Sequence, residues 1–224
     1  FQMLRPTAFF LGQYDQAIRY ALECIQQIPQ YLNAYDALAH AYGELGDWES
    51  CGKYGKIALD IRDKQVLNNY PVLPKLAPKP DTTNKKNVIA FSLYGSQSAY
   101  LETAVLNAQL VKDVYPGWIC RFYVDDTVPE EIIKRLSING TEIVTVSSEM
   151  KRYPKTMWRF FAMIDPEVGH VIFRDADAVI SKREASAVQE WVASGQRFHN
   201  IKDASSHTEL VLAGLWGGIS GSIP

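Results

Sequence analysis

Ile172-Phe-Arg-Asp-Ala-Asp-Ala-Val179 is the stretch on which the reading of this chain turns. An apolar run ends in two carboxylates one residue apart, Asp175 and Asp177. On an extended strand, residues at i and i+2 point the same way. Two carboxylates aimed at one point repel unless a cation sits between them. Hard divalent ions such as Mg²⁺ and Mn²⁺ take oxygen ligands and keep positions open for substrate phosphates. The pair therefore predicts a metal–phosphate site at the carboxyl end of a central strand. The plainer reading is a solvated strand end or a helix cap.

The residues around it predict an α/β domain. Val88 to Tyr94 reads as an apolar strand, followed by a helix capped by Ser98 with Leu101, Ala104, Val105, Ala108 and Val111 on its apolar face. Trp118 to Val124 is the next strand and ends in Asp125-Asp126. Thr127 and Glu130 have the spacing of a capping box for a helix through Leu136, and Ser181 and Glu184 repeat it for a helix ending at Gly195. Glu142 to Val146 and Val171 to Arg174 read as strands, with a helix from Met157 to Ile164 between them. Arg197 to Ile201 is a short strand, and Leu210 to Gly218 is an apolar, glycine-rich run. Strands alternating with helices predict a mostly parallel, Rossmann-like sheet covered on both faces. In such sheets ligands bind beyond the carboxyl ends of the strands. The aspartates at 125, 126, 175 and 177 all follow strand ends, so the pattern places them on one rim.

Upstream the pattern differs. Gly12-Gln-Tyr14-Asp-Gln-Ala17 recurs as Gly46-Asp-Trp48-Glu-Ser-Cys51, an offset of 34 residues. Small residues at Ala17, Ala21, Cys24, Cys51, Gly55 and Ala58 would let helices approach closely, and Pro29 ends one of them. With Tyr35, Leu38, Ala39, Gly46, Trp48 and Ala58, the segment resembles the tetratricopeptide repeat. That resemblance implies a partner-binding groove; the other reading is a packing cap. Pro71, Pro74, Pro78 and Pro80, mixed with lysines, mark a linker or strap. The expected division is a repeat segment over 1–67, a linker over 68–86 and an α/β domain over 87–224. Both ends read as cut from a longer chain.

Composition narrows the classes. The 224 residues are 47% hydrophobic and 21% charged, with a net charge of −2. No basic run indicates nucleic acid, and no apolar run is long enough for a membrane span. Three scattered cysteines form no metal or disulfide framework and suit a reducing, cytoplasmic setting. Asn139-Gly140-Thr141 fits a glycosylation acceptor, but a turn suffices to explain it.

Phe173-Arg-Asp-Ala-Asp-Ala-Val-Ile-Ser181 resembles the metal-binding Asp-x-Asp segment of GT-A fold glycosyltransferases. Tyr115-Pro-Gly-Trp118, Phe122-Tyr-Val-Asp-Asp126, Met157-Trp-Arg-Phe160, Arg183-Glu-Ala-Ser-Ala-Val-Gln-Glu-Trp191 and Leu212-Ala-Gly-Leu-Trp-Gly-Gly218 resemble a group of bacterial and viral members. The resemblance runs from about residue 87 to the end. It implies transfer of a sugar from a UDP- or GDP-linked nucleotide sugar to a glycan or protein acceptor, with Asp175 and Asp177 on Mn²⁺ or Mg²⁺.

The resemblance also suggests roles for other residues. Ser92, Tyr94 and Gly95 would sit by the nucleobase and Arg159 near the donor. From the residues alone, Arg159 equally fits a surface ion pair with Asp165 or Glu167. Asp125 and Asp126 fit ribose or base contacts, or simple turn chemistry. The segment Lys202-Asp203-Ala-Ser-Ser-His207 departs from its relatives' Arg-Asp-His-Pro-x-His. It leaves Asp203 and His207 as candidates for acceptor contacts, a catalytic base or a third metal ligand, against a plain surface loop. His199 reads as structural, and neither His40 nor His170 is a site candidate.

Two other functions fit. One is a repeat scaffold beside an inactive transferase-like domain. The other is a haloacid-dehalogenase-like phosphatase with Asp175 as nucleophile, although three strands preceding the motif argue against it.

Overall fold

The computed structural model describes residues 8–70, 72 and 78–223. They fall into two compact units, Phe1–Lys75 with Lys202–Leu212, and Leu76–Ile201 with Ala213–Pro224. The segment Lys202–Leu212, expected within the α/β domain, is grouped instead with the helical unit. The prolines at 71 and 74 lie outside the described residues.

The first unit contains helices α1 (Tyr14–Gln27), α2 (Leu32–Glu44) and α3 (Trp48–Asn69). The 34-residue offset survives in three dimensions. Gly12 and Gly46 both turn the chain at positive φ, 71° and 75°, two residues before α1 and α3 begin. That left-handed backbone is open to glycine at little cost. Ala21, Ala34, Leu38, Ala39, Ala41, Cys51 and Ala58 are fully buried, so the small side chains do bring backbones together. Gly55 serves a different neighbour from the one expected. A Cβ there would stand 2.2 Å from the Ser205 carbonyl oxygen, so its bareness admits the returning segment. Arg62 fastens that segment with a hydrogen bond from Nε to Glu209 (3.0 Å) and reaches Asp36 with Nη2 (3.1 Å).

The second unit is built on six strands: β1 (Lys86–Leu93), β2 (Trp118–Val124), β3 (Glu142–Thr145), β4 (Val168–Phe173), β5 (Phe198–Asn200) and β6 (Trp216–Ile219). Their order is β3-β2-β1-β4-β6-β5. The first four are parallel, and β6 runs antiparallel to both β4 and β5. The mostly parallel sheet is as expected. Alternation along β1 sends Ile89, Phe91 and Leu93 to one core, and Val88 and Ala90 to the other. The first core is closed by α4 (Ser98–Val114), α5 (Glu130–Ile138) and α6 (Lys182–Ser194); the second by a 3₁₀ segment, Lys155–Ile164. β6 lies close against β4 because Gly217 has no side chain. A Cβ there would meet the Val171 carbonyl oxygen at 2.5 Å.

Several local expectations need correction. The stretch expected as a helix from Met157 to Ile164 is 3₁₀, starting at Lys155, with Trp158, Arg159, Ala162 and Met163 buried. Ser98 is the first residue of α4, not its cap; Gln97 holds the cap position without a side-chain bond. The Thr127–Glu130 capping box does not form, because Pro129 holds the cap position of α5 and the Thr127 hydroxyl oxygen accepts from the Gly95 N–H instead. The second box forms in half: Ser181 accepts from the Glu184 N–H at 3.3 Å. Residues 78–85 act as the expected strap, lying along the second unit. Lys79 donates to the Gly195 carbonyl at 2.7 Å, and Thr82 and Lys85 would crowd any Cβ at Gly169.

Candidate functional site

At the carboxyl ends of β1 and β4 lies a cavity of about 600 Å³. The end of β1 and the loop after it form one side of it, from Ser92 through Gln97, with Tyr100 from the first turn of α4. Thr156 and Arg159 from the 3₁₀ segment and Asp175 to Asp177 after β4 form the other. Six of the expected site residues, Ser92, Tyr94, Gly95, Arg159, Asp175 and Asp177, thus line a single hollow. Parallel pairing of β1 and β4 brings this about: β4 ends at Phe173 opposite Ala90, and β1 continues to Leu93, so the residues after both strands come out on the same rim.

The Asp pair does not project by strand alternation. β4 stops at Phe173, and the pair sits in a turn closed by a bond from the Ala178 N–H to the Asp175 carbonyl (3.2 Å). Asp175 is gripped. Arg159 Nη1 donates to its Oδ1 at 2.6 Å and to the Arg174 carbonyl at 2.7 Å. On the other side, a Cβ at Gly214 would stand 2.1 Å from Asp175 Oδ2, so the carboxylate lies against bare backbone there. Asp177 is exposed and faces the cavity. Arg159 does not make the surface ion pair with Asp165 or Glu167 that the residues alone equally allowed. Asp165 is held instead by Arg121 at 2.6 Å, and Arg159 is buried, with its backbone N–H donating to Ser92 Oγ at 3.0 Å.

Sequence reasoning missed Asn107. This α4 residue is fully buried; its side-chain amide donates to the Ala178 carbonyl (2.9 Å) and its Oδ1 accepts from the Ile180 N–H (3.0 Å). It pins the turn that carries the Asp pair. A lone polar residue on the buried face of an otherwise apolar helix is the signal that was available. Gly214 was equally missed; its place in a glycine-rich run gave no hint of its neighbour.

Asp125 has a supporting role. Its Oδ2 accepts from Lys155 Nζ at 2.7 Å and its Oδ1 from both the N–H and the hydroxyl of Thr127. Burial alone would raise its pKa, but the hydrogen bonds from Lys155 and Thr127 outweigh it and hold the carboxyl low. Thr127 Oγ1 in turn accepts from the Gly95 N–H at 2.6 Å. Lys155 Nζ stands 5.3 Å from the Tyr94 ring centre, with Trp158 edge-on beyond. Asp125 thus fixes the Tyr94–Gly95 loop and is not free for a ligand. Asp126 is exposed, 3.6 Å from Lys151.

Asp203 and His207 are not among the lining residues of this cavity. They belong to the helical unit, paired Oδ1 to Nδ1 at 2.6 Å, and line a separate hollow with Gly52, Gly55, Lys56 and Lys202. His170 meets the Trp191 ring at a right angle and His199 stacks on it, and burial lowers both of their pKa values.

Among the described residues, no group of three or more His, Cys, Asp or Glu is placed to hold a metal ion. Two carboxylates on one hollow still fit a hard cation that draws its remaining ligands from a phosphate and water. No helix among the described residues is long and apolar enough to cross a membrane.

Compared with known protein families and with curated protein sequences, the chain matches none. Among solved structures it is similar to a mutant O-GlcNAc transferase from Thermobaculum terrenum, at 12% identity and a TM-score of 0.36. The match spans 76% of this chain and 38% of that one. At that level of similarity it bears on neither fold nor function.

Proposed function

We propose that the second unit is a GT-A-type glycosyltransferase domain and that its cavity receives a UDP- or GDP-linked nucleotide sugar. The single observation that carries this reading is the convergence of an aromatic loop, a buried arginine and an Asp-x-Asp turn on one hollow of about 600 Å³. That volume suits a drug-sized ligand. Tyr94 and Tyr100 would stack against the base, and Arg159, Asp175 and Asp177 would meet the phosphates; all five line the cavity.

Asp175 and Asp177 would hold Mn²⁺ or Mg²⁺. When bound, such an ion supplies Lewis-acid neutralisation of the diphosphate leaving group, a contribution of several kcal/mol. Asp177 offers its carboxylate to the cavity, while Arg159 and Gly214 fix the direction of Asp175. Arg159 also presents a fixed positive charge to the donor. The Asp125–Thr127–Gly95 chain keeps the base-contacting loop in one conformation, so less ordering is left to be done on binding.

The first unit is read as a tetratricopeptide-type segment, supported by the 34-residue offset shared by the Gly12 and Gly46 turns and the helices after them. Such a segment suits a protein partner, and the transferase reading suits a glycan or protein acceptor. The test is a hydrolysis screen of UDP- and GDP-sugars with Mn²⁺, read as release of free sugar, beside an Asp177→Asn variant. Hydrolysis lost in the variant supports the reading. Release of phosphate from a phosphomonoester, with no sugar release, would replace it with the phosphatase alternative.

A further inference from the structure

We infer that Arg159 is a resident counter-cation of the Asp pair, so that a divalent cation is taken up only together with a nucleoside diphosphate. The inference rests on the donor-site reading above and adds an order of assembly to it.

Three observations carry it. First, the guanidinium already occupies Asp175 Oδ1, at 2.6 Å. The pair is held in place, because Nη1 also donates to the Arg174 carbonyl and Arg159 is only 4% exposed. A side chain this confined cannot swing out to vacate the carboxylate without leaving buried groups unpaired. Second, the other oxygen of Asp175 packs against Gly214, where even a methyl group would stand 2.1 Å away. Asp175 thus reaches the cavity with one oxygen in an ion pair and the other partly covered. Third, no third His, Cys, Asp or Glu completes a cluster here among the described residues.

The charge balance follows. Two carboxylates and one guanidinium leave one net negative charge, weak attraction for a bare dication. Mg²⁺ and Mn²⁺ favour six oxygen ligands, and this site gives at most a few. A diphosphate changes both terms. It brings several oxygens and its own negative charge, and the same guanidinium that weakens the site for a bare dication attracts the phosphates. Arg159 itself lines the cavity beside the pair. Such an arrangement keeps the transferase from holding a metal without its donor.

The experiment follows the free Mn²⁺ signal by electron paramagnetic resonance during titration of the full chain. Mn²⁺ is added alone, with UDP and with GDP, and corrected by protein-free titrations for the metal–nucleotide complex. Binding at least about tenfold tighter with a nucleotide than without is expected for the wild type. Arg159→Gln should bind Mn²⁺ alone about tenfold more tightly than the wild type, because an adjacent positive charge has been removed. Arg159→Lys keeps the charge and should stay weak without nucleotide, which covers the case in which the glutamine variant does not fold. Wild-type protein that binds Mn²⁺ alone as tightly as with UDP or GDP overturns the inference and leaves the donor-site reading standing. No uptake under any condition overturns the donor-site reading, and the inference with it.

Discussion

Replacing Asn107 with leucine tests whether the Asp-bearing turn is held from α4. The side chains are close in size, so the change removes hydrogen bonds more than volume. Two backbone groups lose their partners: the Ala178 carbonyl, bonded at 2.9 Å, and the Ile180 N–H, bonded at 3.0 Å. Asn107 is fully buried, so water cannot easily replace either bond. Each abandoned buried group costs about 1–3 kcal/mol, giving about 2–6 kcal/mol in all. Urea unfolding followed by tryptophan fluorescence reads the loss, since Trp158 and Trp191 both lie in the cores of this unit. Asn107→Asp is the comparator: it keeps an acceptor for Ile180 but turns a carboxylate towards the Ala178 carbonyl, and should be no milder. Loss of under about 1 kcal/mol in the leucine variant would show that the turn holds itself, and Asn107 would lose its positioning role.

The remaining perturbations follow from single contacts. Gly214→Ala brings a Cβ to 2.1 Å from Asp175 Oδ2, so either the carboxylate or the backbone must shift. We expect metal-dependent nucleotide affinity to fall at least about tenfold, at an overpacking cost of about 1–3 kcal/mol, with unchanged affinity refuting the placement. Gly55→Ala meets the Ser205 carbonyl at 2.2 Å and should destabilise the helical unit by a similar amount, read by hydrogen exchange in Lys202–Leu212. Glu142 and Asp165 have lowered pKa values. Burial opposes the shift in both; Lys86 and Arg121 outweigh it for Glu142, as do the Glu167 N–H and Arg121 for Asp165. Their contribution is therefore complete above the ordinary values of 4.5 and 3.8 and is lost as pH falls through the lower folded values. An acid titration should show stability declining below about pH 4.5, and Arg121→Met should flatten that decline.

Much of this was legible in the sequence because it rests on local patterns. Strand and helix periodicity in the second unit follows from which residues must face two cores, and Ile89, Phe91 and Leu93 alternate with Val88 and Ala90 as a two-sided sheet requires. Asp175 and Asp177 stand out in the sequence because two carboxylates at the end of an apolar run need a reason. The turn that carries them was not foreseen, since nothing in Arg-Asp-Ala-Asp says where β4 stops. The pairing of Arg159 with Asp175 is a contact between segments sixteen residues apart, and Asp165 competed for the same arginine on paper until Arg121 took it. The grouping of the segment that carries Asp203 and His207 with the helical unit was not foreseen for a related reason. Their segment follows β5 in sequence, yet Arg62 and the bare backbone at Gly55 hold it in the helical unit. No periodicity encodes such a return. Asn107 acts through Ala178 and Ile180 and Gly214 through Asp175, partners visible only in three dimensions.

Calorimetric titration of UDP and GDP, with and without Mn²⁺, tests the central claim most directly. Saturable binding of one nucleotide that requires Mn²⁺, and that disappears in both Asp175→Ala and Asp177→Ala while the fold is kept, is the predicted result. Nucleotide binding that survives both substitutions, or no binding with Mn²⁺ present, would contradict a donor site in this cavity.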